Sequence, residues 1–170
     1  IRLPVGIKLV YKEQKIHPEM KRIYLVTSLS LLILLACLTS FSPDTDSSLI
    51  DDVLSQTNKF RKSKGLPALI IRQELNAIAQ KHSSNMATGR IGFGHGGFSK
   101  RNSIASKAIR PLNSFAENVA YGATSGKEVV TMWKNSSGHR RNMLGRYKYI
   151  GIGTAKDRRG RIYYTQVFAG

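Results

Sequence analysis

The chain has 170 residues, of which 41% are hydrophobic and 22% charged, and a formal net charge of +17. That length holds one ordinary domain and little more, and a charge of this sign selects anionic partners: nucleic acid, phospholipid head groups or acidic wall polymers. The single cysteine, Cys37, excludes an intramolecular disulfide, so an exported form would depend on packing alone.

Residues 1–19 begin with Ile1 and precede a Met that opens a better-formed segment, so they read as an upstream or non-native extension. From Met20-Lys21-Arg22 an uncharged, Leu-rich run extends from Ile23 to Leu38 and then turns polar. Basic head, short apolar run and polar exit are the parts of a secretory signal peptide, placed here at 20–37, and the run is shorter than the roughly 20 residues of a spanning helix. Leu34-Leu35-Ala36-Cys37 resembles the bacterial lipobox, in which Cys37 would carry lipid. Three outcomes stay open: a lipoprotein, an ordinary cleaved signal, or an uncleaved anchor. Residues 38–48, rich in Ser, Thr, Asp and Pro, read as a flexible tether.

The folded domain is expected from 49 to 170. Leu49, Ile50, Val53, Leu54, Thr57 and Phe60 recur at three- and four-residue steps, which predicts a helix from Ile50 to Lys64 stopped by Gly65 and Pro67. Leu75, Ile78, Ala79, His82 and Met86 form a second stripe, predicting a helix over about 73–88 with Gly89 as its stop. His82 lies on that apolar face and reads as a satisfied core or boundary residue. His95, flanked by Gly92, Gly94, Gly96 and Gly97, is an imidazole presented on a freely bending backbone. Residues 100–111, with Lys100, Arg101, Lys107 and Arg110, read as a solvated basic segment of no assigned structure. In Phe115-Ala116-Glu117-Asn118-Val119-Ala120 a carboxylate sits among apolar residues, so Glu117 needs a partner. Val129, Val130, Met132 and Trp133 share a helical face, and the Gly138-His139-Arg140-Arg141-Asn142 run after them reads as a polar turn. Tyr149 to Ala155 and Ile162 to Ala169, joined by Asp157-Arg158-Arg159-Gly160, predict an antiparallel hairpin.

Four of these words, taken in order, carry a resemblance. Asn58-x-x-Arg61 with Gly65-Leu66-Pro67, the Ala116-Glu117-Asn118-Val119-Ala120 run, Trp133 followed by Gly138-His139-Arg140-x-Asn142, and the terminal strand pair resemble the bacterial branch of the CAP superfamily. This superfamily groups the cysteine-rich secretory, antigen 5 and pathogenesis-related proteins, and its shared module is the SCP-like domain. The resemblance covers about 49–170 and implies an α+β fold, an α–β–α sandwich with a central three-stranded antiparallel sheet.

It also implies a cavity of two His and two acidic residues able to hold zinc or another divalent cation. Carried over by position, His95 and Glu117 match one His and one acid of that cavity. The second acid is replaced by Ser136 or a neighbour, and Tyr163 stands where the family's second His opens its His-Tyr-Thr-Gln word. His139 is the alternative second imidazole, giving His95 and His139 as the metal ligands to test. The wider candidate lining is His95, Glu117, Asn118, His139, Arg140, Asn142, Tyr163 and Gln166. Two readings stand for the Gly-His-Arg-Arg-Asn run: a turn held by backbone bonds with solvated arginines, or one wall of that pocket.

The residues assign no nucleophile. Ser136 and Ser137 have no Asp–His partner in sequence and Cys37 lies in the signal, so an enzyme would use His95, Glu117 and His139 with a metal. The function expected is an extracytoplasmic, non-catalytic binding module, secreted or held to the membrane by its N-terminal signal or a lipid anchor. Its ligand would be an anionic lipid or cell-wall polymer, with a metal-dependent hydrolase as the alternative. Nucleic acid is not expected, because no aromatic residues are interleaved with the basic ones and export argues against it.

Overall fold

A computed structural model describes residues 44–170. The signal peptide expected at 20–37, with the lipidation expected at Cys37, and the first nineteen residues lie outside them. The elements in chain order are α1 (Asp44–Lys62), β1 (Ile70–Ile71), α2 (Gln73–Ala87), α3 (Phe98–Ala108), β2 (Phe115–Tyr121), α4 (Gly126–Asn135), α5 (Ser137–Met143), β3 (Tyr149–Lys156) and β4 (Ile162–Ala169). The sheet order is β1-β3-β4-β2. Strands β2, β3 and β4 are the antiparallel trio that was expected; the two-residue β1 adds a short parallel edge on β3, pairing Ile70 with Tyr149 and Ile71 with Ile150.

The period-two alternation of the strands divides the core between two faces. On one face, Ile150, Ile152, Tyr164 and Phe168 meet Val53 and Phe60 of α1, Val129, Val130 and Trp133 of α4, and Met143 of α5. On the other, Val167 and Ala169 meet Leu75, Ile78 and Ala79 of α2 and Ala105 of α3. Helix α2 lies against the sheet because β3 offers it glycine: a Cβ on Gly151 would fall 2.2 Å from the carbonyl carbon of Leu75, and one on Gly153 would fall 2.1 Å from the backbone nitrogen of Gln80.

Side chains from the helices close both sheet edges. The Asn76 amide oxygen accepts from the Ile152 N–H (2.9 Å), and Gln80 bonds both backbone groups of Thr154. Along β2, Trp133 Nε1 donates to the Val119 carbonyl (3.2 Å) and Asn142 Nδ2 to the Glu117 carbonyl (3.0 Å). An edge satisfied in this way has no free row of donors and acceptors to recruit another strand.

The elements depart from expectation at three places. Helix α1 begins at Asp44, inside the stretch expected to be tether. Residues 98–108 are helical rather than irregular: Gly97 turns at φ 80° to start α3, and Ala105 packs into the core. The polar turn after α4 is instead the short helix α5, set off by extended Ser136 and anchored by its carbonyls. Arg61, the arginine of the Asn58-x-x-Arg61 word, is 1% exposed and donates through Nη1 to the carbonyls of Met143 (2.7 Å) and Gly145 (2.9 Å). Among the described residues no helix is long and apolar enough to cross a membrane.

Candidate functional site

The buried carboxylate is the centre of the site. Glu117 projects from β2 toward α2 and α3, on the same face as its strand partner Val167, and its side chain has no solvent exposure. Arg101 of α3 meets it as a fork, Nε to Oε2 at 2.6 Å and Nη2 to Oε1 at 2.7 Å. Fork pairing of this kind is the strong, directional form of an ion pair. The same guanidinium donates to the carbonyls of Gly96 (2.7 Å) and His95 (3.3 Å).

The partner that Glu117 required is therefore Arg101, which the sequence had placed in a solvated segment. An arginine between Lys100 and Lys107 carries no local signal of burial; the helix it stands on, unpredicted, is what turns it inward. The glycine-rich loop is tied at a further point, where His82 Nε2 donates to the Gly94 carbonyl at 2.8 Å. His82 is 2% exposed, and burial, the largest influence, pulls its pKa below the ordinary histidine value despite the nearby Glu117 charge, leaving it neutral at pH 7.

Held by these donors, His95 brings Nδ1 to 2.9 Å from Glu117 Oε1 while half of its side chain remains in solvent. A carboxylate accepts only, so Nδ1 carries the proton and the bond fixes the ring. Nε2 is then the atom available to a ligand or a proton. His139 of α5 completes the group: its pKa is lowered, chiefly by burial and then by the charge of His95.

The remaining candidates are divided by the pleat. Asn118 points to the opposite face from Glu117. There its Nδ2 donates to the His139 carbonyl (3.1 Å) and lies 3.4 Å from Gln166 Oε1, and Gln166 Nε2 donates to Thr57 (2.8 Å). Asn118 and Gln166 are both fully buried and form a structural network between the sheet, α1 and α5. Asn142 shares its Nδ2 between the Glu117 carbonyl and Asn118 Oδ1 (2.9 Å). Arg140 is exposed and donates to the Lys134 carbonyl at 3.0 Å. Tyr163 is on the Glu117 face but pairs with Tyr121, four residues along β2 and so roughly 13 Å away. It stacks on Tyr121 at 5.6 Å, with Phe93 of the glycine loop edge-on to Tyr121 at 4.8 Å.

A divalent cation does not fit this donor set. Both Glu117 oxygens are engaged by Arg101, and the cation there already neutralises the charge a metal would use. Two imidazoles remain, one fewer than the three protein ligands of a catalytic zinc site. Among the described residues no group of three or more His, Cys, Asp or Glu side chains is placed to hold a metal ion.

The sequence model of the CAP, or cysteine-rich secretory protein, family matches residues 54–168. The YkwD protein of Bacillus subtilis (strain 168) is 30% identical over 140 residues, covering 78% of this chain and 51% of that protein. The chain thus spans about half the length of this relative. An extracellular SCP-domain protein of Bacillus anthracis str. Ames superposes with a TM-score of 0.64 at 24% identity, over 76% of this chain and 44% of that one. A cysteine-rich secretory protein of Staphylococcus aureus Mu50 gives 0.61 at 22%, over 75% and 40%. An outer surface protein of Borrelia burgdorferi gives 0.60 at 20%, over 76% and 95%. The matched span takes in every element from β1 to β3 and all but the last residue of β4, and on it the chain belongs to the CAP, or cysteine-rich secretory protein, family.

Proposed function

We propose that this protein is an extracytoplasmic binding module whose cationic surface engages the phosphate-bearing polymers or lipid head groups of a cell envelope. The observation that carries the reading is the charge balance of the folded domain. Residues 44–170 hold 21 Lys and Arg against 8 Asp and Glu. Of those acids, Glu117 is committed internally to Arg101, and Glu74 and Asp157 are paired with Arg72 and Arg161. The acids are too few to neutralise the remaining cations, most of which lie at the surface. Such a surface attracts polyanions and releases them as salt rises. The extracellular and outer-surface relatives support the placement outside the cytoplasm.

The test is retention of the full chain on immobilised poly(glycerol phosphate) and on phosphatidylglycerol vesicles, with phosphatidylcholine vesicles as the control. Retention on the anionic supports should fall steeply between about 0.05 and 0.5 M salt, as the Debye length contracts from roughly 14 to 4 Å. Retention that ignores salt, or equal retention on the neutral vesicles, would refute it.

A further inference from the structure

Three strands share one end of the sheet, where β2 stops at Tyr121, β3 stops at Lys156 and β4 starts at Ile162. Tyr121 and Tyr163 are cross-strand partners there, stacked at 5.6 Å. The glycine loop lays Phe93 against both, edge-on to Tyr121 at 4.8 Å and 6.4 Å from Tyr163. The cluster opens to solvent: Phe93 is 51% exposed and Tyr121 43%. Single exposed apolar residues need no explanation, but contiguous aromatic rings at a surface mark a contact site.

The tip of the β3–β4 hairpin sets positive charge beside these rings. Lys156, Arg158, Arg159 and Arg161 are all exposed, and Asp157 is the one acid among them. Asp157 is used within the turn: Oδ1 accepts from the N–H of Arg159 (2.8 Å) and of Arg161 (3.0 Å), and Oδ2 from Arg161 Nε (2.8 Å). Arg161 also lies over the Tyr121 ring at 5.7 Å, which ties the tip to the aromatic cluster. Among the described residues Lys156, Arg158 and Arg159 form no ion pair.

The combination decides the partner. A hydrated polyanion such as poly(glycerol phosphate) takes up the charges but offers no apolar phase to an exposed phenyl ring. Stacked nucleic-acid bases need open ring faces, and Tyr121 already carries Tyr163 and Arg161. A bilayer with anionic head groups satisfies every part: cations at the phosphates, the phenyl ring at the acyl boundary, and tyrosines, apolar in body and polar at the hydroxyl, at the level of the head groups. We infer that this end of the domain docks on an anionic lipid bilayer, with Phe93 entering the interface and Lys156, Arg158 and Arg159 on the head groups. The inference rests on the anion-binding reading above and adds to it the face and the bilayer.

Phe93→Trp in the full chain puts a reporter at the point of contact, because the native Trp133 is 1% exposed and gives a constant background. The probes are vesicles of phosphatidylglycerol and of phosphatidylcholine with brominated acyl chains, which quench an indole that reaches them. On phosphatidylglycerol at about 0.05 M salt the added emission should shift to the blue and fall by about half, with far less quenching on phosphatidylcholine and none of the parent chain. Arg158→Gln/Arg159→Gln in the F93W background should need on the order of tenfold more phosphatidylglycerol for the same quenching, the effect of two cations at an anionic surface. All three positions are exposed, so the variants should keep the parent's thermal unfolding midpoint. Unshifted F93W emission on phosphatidylglycerol, equal quenching on phosphatidylcholine, or quenching indifferent to R158Q/R159Q would each overturn the inference. Displacement of the vesicles by single-stranded oligothymidylate at about 0.15 M salt would overturn it too, placing a nucleic acid on this face. Phe93→Ser should leave retention on poly(glycerol phosphate) unchanged, and a fall there would make the face a polymer site instead. An F93W chain retained on the polymer but silent on vesicles sinks this inference alone, whereas loss of retention on both anionic supports sinks the surface reading with it.

Discussion

Replacing Arg101 by Met tests whether the Glu117 pair organises the site. The substitution keeps the unbranched apolar stem of the side chain and removes all four of its hydrogen bonds, two to Glu117 and one each to the carbonyls of His95 and Gly96. Glu117 would remain with no solvent exposure, leaving His95 as its only hydrogen-bonding side chain among the described residues. Removing one partner of a buried pair typically costs 3–5 kcal/mol, because the other charge stays behind without compensation. Urea unfolding of the full chain should therefore show R101M destabilised by about 4 kcal/mol, a large part of an ordinary domain's stability. The double variant R101M/E117M removes the stranded charge as well and should recover about 1–3 kcal/mol of coupling. Arg101→Lys keeps the charge without the fork and should fall between parent and R101M. A loss below about 1 kcal/mol in R101M, or strict additivity in the double variant, would refute the assignment of this pair as the site's organiser.

Two further outcomes follow from the packing of α2. Gly153→Ala puts a Cβ 2.1 Å from the Gln80 nitrogen and 2.3 Å from the Ala79 carbonyl carbon, both backbone, so the helix must lift from the sheet; thermal unfolding should show a loss of about 3 kcal/mol or more, and an unchanged midpoint would contradict the contact. His82 has a folded pKa below its ordinary 6.5, so the unfolded chain takes up the proton first. Its contribution to stability is complete above about pH 6.5 and is lost as pH falls toward the folded value. His82→Gln keeps a donor for Gly94 but does not titrate, so urea midpoints measured from pH 7.5 to 5 should decline less in H82Q than in the parent. The residual slope comes in part from His139, whose pKa is lowered in the same direction. Parallel profiles would remove His82 from the account.

What could be read from the sequence was whatever rests on local periodicity or on a single group's need. The stripe Leu75, Ile78, Ala79, His82 and Met86 is buried as its spacing predicts, and the two terminal strands pair as a hairpin. That Glu117 must have a partner followed from burial cost alone. The identity of that partner did not, because Arg101 has the same neighbours in sequence as a solvated arginine and is selected only by the packing of α3 on the sheet. Arg61 is the same case, its Nη1 donating to two carbonyls more than eighty residues away in the chain. The assignment of Asn118 and Gln166 to the Glu117 pocket came from family position rather than from alternation. Adjacent residues of one strand face opposite sides, so Glu117 and Asn118 could not both line it.

That alternation also explains how a structural network on one face controls the candidate site on the other. Asn118, facing α1 and α5, bonds the carbonyl of His139, and Asn142 one turn further on bonds both Asn118 and the carbonyl of Glu117. Arg61 holds the carbonyls at the far end of α5. The short helix is thus fixed at both ends to groups that never face the His95 loop, and the His139 side chain is carried along with it. On the opposite face, Glu117 sets the position of His95 through one direct bond and through Arg101. Two successive residues of β2 therefore place the two imidazoles from opposite sides of the sheet. A helix of seven residues has too few internal hydrogen bonds to hold its place alone, so the register of α5 on this edge is a tertiary property. The relation between His139 and His95 accordingly depends on the buried amides as much as on the histidines themselves.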